Sequence, residues 1–579
     1  MNYQLIAPIK QDYSIIEQIL TNRGIKYEDI PQYLNLTEDY NLPTELIDNI
    51  DTAAKTIIKH LSKGKIWIMI DSDCDGYTSA AVLLNYLHKW VPTAVEANIS
   101  YSLHTSKKHG INLDLIPQNT TLVIAPDSSS NEYDIHKLLS ERNIDVVVID
   151  HHQAERVSEY ACVVNNQLCD YPNKMLSGVG MVYKLCQHID KILNLDNADL
   201  FRDIVALGSI ADMMDLRSFE TSYLVHSGLS HIRNPYLLEM IEKNKFSIGN
   251  TITPIGIAFY VAPYVNAVTR VGTNEEKLAL FESMLEWKAY NLVPSTKRGC
   301  KGQKETRLVQ AVRYCTNVKN RQTNSQDEGV EKIENLIAER HLLDKKILII
   351  KLDTFSIDKG LNGLIANKLM AKYQRPVLIL NKTEKDNELA WEGSARGYEK
   401  SKLKDFRQFV RDSECAYLAE GHANAFGAGF TEQGLNNFIN YSEQKLKDFQ
   451  FEPIYEVDFI FTSNNFKAKD ILDIGSLKAF WGQNIEEAKI VVENVKVTKD
   501  NLVLMSPDKK PTLKIILPNN VTCIKFKSSQ EEFSNLYSDT GCITINLIGK
   551  CENNEYYGLI TPQIIIESYE ILASQEYYF

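Results

Sequence analysis

Hydrophobic residues recur along the chain with two different periods, and these periods predict the secondary structure. Over residues 1–62 apolar positions lie three and four apart, as in IIEQIL and LIDNIDTAAKTIIKHL, which predicts helices. Short β-branched runs follow, IWIMI (66–70), TLVIA (121–125) and DVVVID (145–150), separated by helical stretches such as TSAAVLLNYLHKW. This alternation is typical of a parallel sheet buried on both faces, so we predict an α/β domain.

From about residue 452 onward the pattern changes to short strands separated by polar turns. The segments are IVVENVKV, LVLM, TLKIIL, CIKFK, CITINLIG and YGLITPQIIIESYEIL. Five or six strands of this kind predict a small β-barrel at the end of the chain.

Acidic residues and histidines follow each apolar run of the predicted parallel sheet. A fourth apolar stretch, VALGSIADMMDL, ends in the same way. Because ligands of open α/β sheets gather beyond the carboxyl ends of the strands, we expect these side chains to form one site. They are Asp71, Asp73 and Asp75 after the first run, Asp127 after the second, Asp150, His151 and His152 after the third, and Asp212 after the fourth.

Crowded carboxylates repel one another, and a pair of divalent cations would supply the missing positive charge. Oxygen ligands with a single imidazole favour Mg²⁺ or Mn²⁺ over Zn²⁺. Two such ions about 3.5–4 Å apart activate a water and stabilise the leaving oxygen of a phosphate ester. Any one Asp is equally well explained as a helix N-cap or turn former, but four clusters together favour the metal site. The loop DSDCDG lacks the spaced Glu of an EF-hand.

Length and composition exclude several classes of protein. The 579 residues predict three to five domains at about 100–200 residues each. With 44% hydrophobic and 24% charged residues, the chain can build large cores. The net charge of −12 does not indicate a nucleic-acid binder, so any polyanion site must be a local patch.

Cysteine usage and the amino terminus indicate the compartment. The ten cysteines form no CxxC pair, and no secretory leader or membrane-spanning run is visible. We therefore expect reduced thiols, no zinc knuckle, no membrane association and a cytoplasmic location.

Five motifs occur in an order that resembles a known family. They are IDSDCDGYTSA, the isolated Asp127, VVVIDHHQ followed by VVNNQ, LSGVGMVYKL, and VALGSIADMMDL. Together they resemble the RecJ exonuclease branch of the DHH phosphoesterase superfamily. Further along, APYVNAVTRVG resembles the motif that closes the catalytic domain, and LNGLIANKLMAKYQRPVLIL, GSARGYEKSKL and EGHANAFGAGF resemble the associated DHHA1 domain. Only about 285–340 has little that matches.

The resemblance implies a role for each residue of the metal site. Asp73 would bind one metal and Asp75 the other, with Asp127 bridging them. His151 and Asp212 would complete the second position, and Asp71 would be a further ligand of the first.

Two more roles concern the DHH histidines. His152 would face the scissile phosphate. The alternative is that His152 is a buried histidine without a role in catalysis. Asp150 would orient His151 through its other ring nitrogen, as metal-bound histidines usually require.

The glycine-rich turns GSARG and GHANAFGAG let backbone N–H groups approach a phosphate, although glycine clusters more often mark ordinary tight turns. The resemblance implies that Ser394, Arg396 and His422 hold substrate phosphates there. Asn266 and Arg270 match the motif before the linker.

The chain departs from the family pattern in three places. Ser128, Ser129 and Ser130 follow Asp127, and Thr269 stands where relatives have glycine. SLHTSKKHG replaces an arginine and a glycine-tyrosine-glycine turn, so we expect His104, Lys107 and Lys108 to supply that basic contact. These changes affect the expected grip on the 5′ end and leave the metal ligands intact.

The predicted architecture is a multi-domain α/β protein with a parallel-sheet DHH domain, a smaller α/β DHHA1 domain and a C-terminal OB-like β-barrel. The boundaries are 1–62 for a helical lead-in, 63–285 for the DHH domain, 286–340 for a helical, basic linker, 341–450 for DHHA1 and 451–579 for the barrel. Residues 295–325 hold eight basic residues against one acidic residue. They predict either a polyanion-binding flap or a solvated linker face.

By resemblance, the function is that of an exonuclease dependent on two Mn²⁺ or Mg²⁺ ions that degrades single-stranded DNA 5′→3′ in recombination, repair or replication. Single-stranded DNA is the expected partner, and a single-strand-binding protein or a helicase is a candidate. One alternative is a DHH phosphodiesterase on short oligoribonucleotides or cyclic dinucleotides. Another is a non-catalytic scaffold that binds DNA in a replication complex.

Overall fold

A computed structural model describes residues 1–105, 109–506, 510–539, 541–556 and 558–576. The chain divides into two compact units. The larger unit comprises Ile9–Lys319 and Phe461–Phe579, and the smaller unit comprises Met1–Pro8 and Asn320–Ile460. Across the described residues, no helix combines the length and the apolar character that crossing a membrane requires.

The first 63 residues contain helices, as predicted, joined by irregular segments and preceded by a short strand. The elements are β1 (Asn2–Leu5), α1 (Ile15–Asn22), α2 (Ile30–Tyr33) and α3 (Ile50–Lys63). The helix prediction was wrong for residues 2–5. These residues alternate between exposed and half-buried positions, which suits a strand.

A parallel sheet buried between helices forms the core of the larger unit, as predicted. Its elements are β2 (Ile66–Ile70), α4 (Cys74–Trp90), α5 (Pro92–Asn98), β3 (Ile99–Leu103), β4 (Leu122–Pro126), α6 (Tyr133–Glu141), β5 (Asp145–Asp150) and β6 (Cys162–Asn165). The strand order is β3-β2-β4-β5-β6, with all neighbours parallel. Every residue of β2 and β4 is buried, which explains their continuous apolar runs.

Eight helices complete this domain. They are α7 (Gly178–Leu193), α8 (Arg202–Ala211), α9 (Phe219–Ser230), α10 (Pro235–Lys243), α11 (Lys245–Ile248), α12 (Pro254–Tyr260), α13 (Ala262–Val271) and α14 (Asn274–Met284). The Ser177 side chain caps α7 by accepting a hydrogen bond from the Gly180 N–H. Helices α4, α7 and α8 pack against one another.

The basic segment folds as a hairpin followed by a long helix. The hairpin consists of β7 (Leu292–Pro294) and β8 (Lys304–Thr306), and α15 (Arg307–Glu339) follows directly. Two of its arginines are paired with carboxylates, Arg307 with Glu282 at 2.9 Å and Arg313 with Glu305 at 2.5 Å. At the hairpin tip, Lys297, Arg298, Lys301 and Lys304 are exposed.

The smaller unit contains a mixed five-stranded sheet. Its elements are β9 (Leu348–Leu352), α16 (Asn362–Tyr373), β10 (Val377–Lys385), β11 (Glu388–Arg396), α17 (Phe406–Asp412), β12 (Leu418–His422), β13 (Ala425–Thr431), α18 (Glu432–Lys445) and β14 (Ile454–Val457). The strand order is β12-β13-β11-β10-β9, and only β9 and β10 are parallel. Strand β14 pairs with β1 in a separate parallel ribbon.

The carboxyl-terminal segment forms strands, as predicted, but the predicted barrel is not confirmed. The elements are β15 (Phe459–Thr462), α19 (Ala468–Ser476), β16 (Lys489–Val497), β17 (Leu502–Met505), β18 (Thr512–Ile516), β19 (Thr522–Lys525), α20 (Gln530–Leu536), β20 (Gly541–Tyr556) and β21 (Leu559–Glu576). In the described residues they form one open sheet, β15-β16-β20-β21-β19-β18-β17. Its centre is the long β20–β21 hairpin, and β15 and β17 remain its two edges.

Candidate metal centre

The topology of the parallel sheet brings the predicted acidic residues together. Strand β2 lies between β3 and β4, so the strand order reverses at the junction of β2 and β4. A crevice opens at such a switch point, at the carboxyl ends of the strands. The carboxyl ends of β2, β4 and β5 and the residues that follow them lead into this crevice. They carry Asp71, Asp73, Asp75, Asp127, Asp150, His151 and His152.

Two of the carboxylates after β2 are held by helix N-termini. Asp73 is the N-cap of α4, and its Oδ1 accepts a hydrogen bond from the Gly76 N–H at 3.0 Å. The buried Asp75 accepts hydrogen bonds from the Gly178 and Val179 N–H groups of α7, at 2.7 and 3.0 Å. The capping role and the predicted ligand role of these residues are thus compatible, because a carboxylate has several acceptor positions.

Asp127 is held in a constrained backbone conformation at the end of β4. Its φ of 65° lies in the left-handed region, and its N–H donates to the Ile149 carbonyl at 2.7 Å. Its side chain is buried, and Oδ1 has no hydrogen-bond partner among the described residues. A buried oxygen without a partner is costly, and a cation would satisfy it.

His151 faces three carboxylates. Its Nε2 lies 3.3 Å from Asp127 Oδ1, 3.4 Å from Asp212 Oδ2 and 3.7 Å from Asp75 Oδ2. This nitrogen is buried and has no hydrogen bond within the described structure. Four donor atoms thus converge, two of them without hydrogen bonds, and this arrangement fits a divalent cation.

The electrostatics of the cluster support the same interpretation. Burial, followed by the charges of neighbouring carboxylates, raises the pKa of Asp75 and of Asp127 well above its ordinary value. Burial also raises the pKa of Asp212, while the adjacent His151 opposes that rise. A bound cation would reverse this preference for the protonated acids, because it stabilises the charged carboxylates.

Asp212 reaches the site from a helix and not from a strand. The sequence pattern led us to expect another strand end, which was wrong. The apolar stretch before Asp212 is α8, and Asp212 is its C-cap residue. An apolar run buried on all sides looks the same in a helix and a strand, which explains the error.

The two histidines of the DHH motif have different partners. Asp150 Oδ1 lies 2.8 Å from Nδ1 of His152, and it also accepts the backbone N–H groups of His151 and His152. The prediction that Asp150 orients the ring of His151 was therefore wrong, because the carboxylate orients His152. This hydrogen bond is the main cause that raises the pKa of His152. The His152 side chain is 58% exposed, so it is not a merely buried histidine.

Asp71, Asp73 and His109 form a second group of candidate ligands, and His109 was missed from the sequence. Single ligand atoms of Asp71, Asp73 and His109 lie within 4.8 Å of one another. Nδ1 of His109 is 2.6 Å from Asp71 Oδ2. The sequence analysis interpreted the segment SLHTSKKHG only as a source of basic phosphate contacts. The His-Gly pair at its end is the sequence feature that could have indicated a further ligand.

The expected basic contact upstream of His109 takes a different form. His104 is buried, and its Nε2 lies 2.9 Å from the Gly110 carbonyl oxygen. This contact favours a role for His104 in positioning Gly110, while its contact with substrate stays a prediction. Lys107 and Lys108 lie outside the described residues.

Asn266 and Arg270 lie one turn apart on α13 and thus share a face of that helix. Asn266 lines a largely apolar cavity of about 590 Å³ that Met213 also lines. Met213 follows the candidate ligand Asp212 directly in the chain. Arg270 is exposed.

In the smaller unit, Ser394 and Arg396 lie on the same face of β11, near the start of α16. A Cβ on Gly363, in the first turn of α16, would lie 2.5 Å from Arg396 Nη2 and 3.7 Å from Ser394 Oγ. A guanidinium beside a helix N-terminus is a suitable environment for a phosphate. His422 is the exposed last residue of β12.

Known proteins are similar to this chain along its whole length. Residues 65–209 match the DHH family, N-terminal domain. YorK of Bacillus subtilis strain 168, an SPbeta prophage-derived protein assigned as a single-strand DNA-specific exonuclease, is 37% identical over 584 aligned residues, which cover 100% of this chain and 99% of YorK. The chain belongs to the RecJ-like branch of the DHH family. The resemblance drawn from the sequence motifs is thereby confirmed.

RecJ proteins extend the comparison to experimental structures. The single-stranded-DNA-specific exonuclease RecJ of Bacillus subtilis is 24% identical over 577 residues, covering 96% of this chain and 67% of RecJ. The crystal structure of RecJ from Thermus thermophilus in complex with Mn²⁺ matches with a TM-score of 0.67 at 17% identity, covering 100% of this chain and 80% of that one. The Mg²⁺ complex of the same protein matches with a TM-score of 0.61. The RecJ-like α/β fold is therefore shared.

Proposed function

We propose that this protein is a metal-dependent exonuclease that hydrolyses phosphodiester bonds of single-stranded DNA. The observation that carries the proposal is the convergence of Asp75, Asp127, His151 and Asp212 at the sheet's switch point, with Asp127 Oδ1 and His151 Nε2 buried and lacking hydrogen bonds in the described structure. The end-to-end similarity to YorK, at 37% identity, supports the same substrate.

The donor atoms fit two divalent cations, Mn²⁺ or Mg²⁺. Asp71 and Asp73 would hold the first, Asp75, His151 and Asp212 the second, and Asp127 both. Bound there, the ions supply an activated water and neutralise charge on the scissile phosphate. The protein contributes fixed ligand positions, because Asp73 and Asp75 are tied to the first turns of α4 and α7.

His152 has a separate task in this proposal. Asp150 holds its Nδ1, which stabilises the positively charged imidazole and leaves Nε2 for another partner. The exposed ring lies beside His151, with ring centroids 4.5 Å apart. We assign His152 to the scissile phosphate, where its N–H donates to an oxygen on which charge develops.

Other residues would bind the strand away from the scissile bond. In the larger unit these are Asn266 and Arg270, with His104 and Lys108 as proposed 5′-end contacts. In the smaller unit they are Ser394, Arg396 and His422. The carboxyl-terminal domain is proposed to bind further nucleotides, since Phe526, directly after β19, and Tyr537, directly after α20, are exposed and can stack on bases.

The remaining parts of the proposal concern context. We infer 5′→3′ polarity, a role in recombination, repair or replication, a cytoplasmic location and cooperation with a single-strand-binding protein or a helicase. The division into lead-in, DHH, linker, DHHA1 and terminal domains also belongs to this proposal. An intact set of candidate ligands favours an enzyme over a non-catalytic scaffold.

Incubation of the protein with end-labelled DNA and RNA distinguishes these possibilities. Both nucleic acids are tested as single and double strands, each with Mn²⁺, Mg²⁺ or EDTA. Mononucleotides released from single-stranded DNA only, and not in EDTA, are the expected result. Asp127→Ala is the matched inactive variant, which should still bind DNA. Preferential cleavage of short oligoribonucleotides or cyclic dinucleotides would contradict the proposal, as would full activity of Asp127→Ala at saturating Mn²⁺.

A further inference from the structure

His109 lies where the sequence motifs place only carboxylates. Its Nδ1 is 2.6 Å from Asp71 Oδ2, and Asp73 offers a further oxygen to the same group within 4.8 Å. Asp71 is 1% exposed, whereas the His109 side chain is 54% exposed. An exposed imidazole therefore contacts a buried carboxylate at this position.

Several contacts fix the described backbone near His109, at residues 104–105 and at Gly110. The buried Lys277 donates to the carbonyls of His104 and Thr105, at 3.3 and 3.0 Å. The His104 ring is hydrogen-bonded to the Gly110 carbonyl, and the Gly110 N–H approaches Asp71 Oδ1 at 3.3 Å. Contacts of this chain thus hold the described residues on both sides of residues 106–108, and Gly110 lies against Asp71.

Gly110 itself allows this approach. Its φ is 80°, and a Cβ there would lie 2.1 Å from Glu132 Oε1. Glu132 also accepts the Ile111 N–H at 2.9 Å, so its carboxylate is not free to move aside. The residue after His109 is therefore restricted to glycine by both conformation and space.

We propose that His109 is an imidazole ligand of the first metal position, beside Asp71 and Asp73, and that it makes this position prefer Mn²⁺ to Mg²⁺. The inference rests on the proposed function, which places a divalent cation there. Mg²⁺ binds oxygen ligands and keeps its waters, whereas transition-metal ions accept imidazole nitrogen readily. Without His109, the first position offers carboxylate oxygens only.

A simpler role for His109 is a hydrogen bond to Asp71 without any contact to the metal. The two roles differ in a spectroscopic signature. An imidazole that ligates Mn²⁺ gives the hyperfine coupling of a directly bound nitrogen in pulsed electron paramagnetic resonance. An imidazole that is only hydrogen-bonded to Asp71 does not give this coupling. In the ligand role, both His109 and His151 contribute couplings.

The experiment compares the full-length wild type with His109→Gln, in the absence of DNA. Mn²⁺ and Mg²⁺ affinities are measured by titration, and nitrogen couplings are measured on the Mn²⁺-loaded proteins. His231→Gln is the matched control, since His231 is an exposed histidine at the end of α9. We expect His109→Gln to lose one imidazole coupling and at least about 10-fold in Mn²⁺ affinity at one position, with a much smaller loss for Mg²⁺.

Retention of both the nitrogen couplings and the Mn²⁺ affinity in His109→Gln would overturn the assignment. Equal losses for Mn²⁺ and Mg²⁺ would overturn the selectivity. His109→Asn gives a second, smaller replacement if the glutamine variant is poorly folded by circular dichroism. A wild type that binds Mn²⁺ with both couplings but leaves single-stranded DNA intact would refute the proposed function and not the role of His109.

Discussion

Asp127 and Gly178 are packed so closely that the glycine has no room for a side chain. A Cβ at Gly178 would lie 2.2 Å from Oδ1 of Asp127, closer than real Cβ atoms approach any atom. Gly178 also donates its N–H to Asp75 at 2.7 Å. One residue at the N-terminus of α7 thus positions two of the proposed ligands.

The first prediction concerns Gly178→Ala. The added methyl group must displace the Asp127 carboxylate or α7, so we expect at least about a 10-fold lower affinity for Mn²⁺ and a larger loss of hydrolysis. Titration of Mn²⁺ and the rate of nucleotide release measure the two effects.

Gly180→Ala is the control for this substitution. It lies in the same turn of α7, but its Cβ would meet nothing closer than 3.4 Å, an ordinary contact with Leu176. Its activity should be close to that of the wild type. Equal behaviour of the two variants would show that the close packing against Asp127 is unimportant.

The sequence predicts the strands of the parallel sheet well where they are buried on both faces. The predicted bounds of β2 and β5 agree with the structure, because continuous β-branched runs are unambiguous there. Strand β3 was missed, since it lies at the sheet edge and its sequence ISYSL is half polar. Closure of the terminal sheet depends on strand pairing and register, which the alternation of residues does not specify.

In the candidate site, too, local sequence predicts some residues and misses others. The candidate ligands next to strand ends were identified from local sequence, because the carboxyl ends of parallel strands must meet. His109 was not found, because its position depends on contacts with residues distant in sequence, Lys277 and Glu132. The partner of Asp150 was also beyond the sequence pattern, since His151 and His152 are adjacent and only the loop geometry selects one of them.

The second prediction concerns Arg396, which we expect to bind a substrate phosphate. Arg396→Ala should weaken binding to single-stranded DNA and reduce the slope of log affinity against log salt by about one unit. Affinity for Mn²⁺ should not change. Fluorescence anisotropy over a range of salt concentrations measures the slope.

Lys447→Ala is the control for Arg396→Ala, since it removes one exposed positive charge elsewhere in the smaller unit. Its salt slope should remain that of the wild type. If the slope of log affinity against log salt falls equally in both variants, a general effect of charge explains the change. Loss of Mn²⁺ binding in Arg396→Ala would instead contradict the phosphate role.

The third prediction concerns the tip of the β7–β8 hairpin. The four exposed basic residues there either bind DNA or are simply solvated. If they bind, replacement of all four by alanine should reduce the salt slope by up to about 3 units, at about 0.7 per phosphate on a single strand. Cleavage at saturating DNA should be nearly unchanged, because no candidate metal ligand is altered. An unchanged slope would assign Lys297, Arg298, Lys301 and Lys304 to a solvated face.

The last prediction concerns the pH dependence of stability through His226. This residue of α9 packs edge-on against Phe480, with ring centroids 5.3 Å apart, and its Nε2 is buried without a hydrogen bond in the described structure. Burial lowers the pKa of His226 from 6.5 to about 4. The unfolded chain therefore takes up a proton near pH 6.5 while the folded protein stays neutral at this site, so stability falls as the pH decreases from 6.5 to 4. The loss reaches about 3 kcal/mol at about 1.36 kcal/mol per pKa unit.

Thermal unfolding midpoints of the wild type and His226→Gln, measured from about pH 8 to about pH 4, test the expected titration of His226. The variant should be less stable than the wild type at the alkaline end, where packing of the ring dominates, and the difference should shrink or reverse at the acidic end. His231→Gln, which removes an exposed histidine, should follow the wild type throughout. A difference between the wild type and His226→Gln that stays constant with pH would show that the His226 ring does not titrate as proposed, because only a group with different pKa values in the folded and unfolded chain makes stability depend on pH.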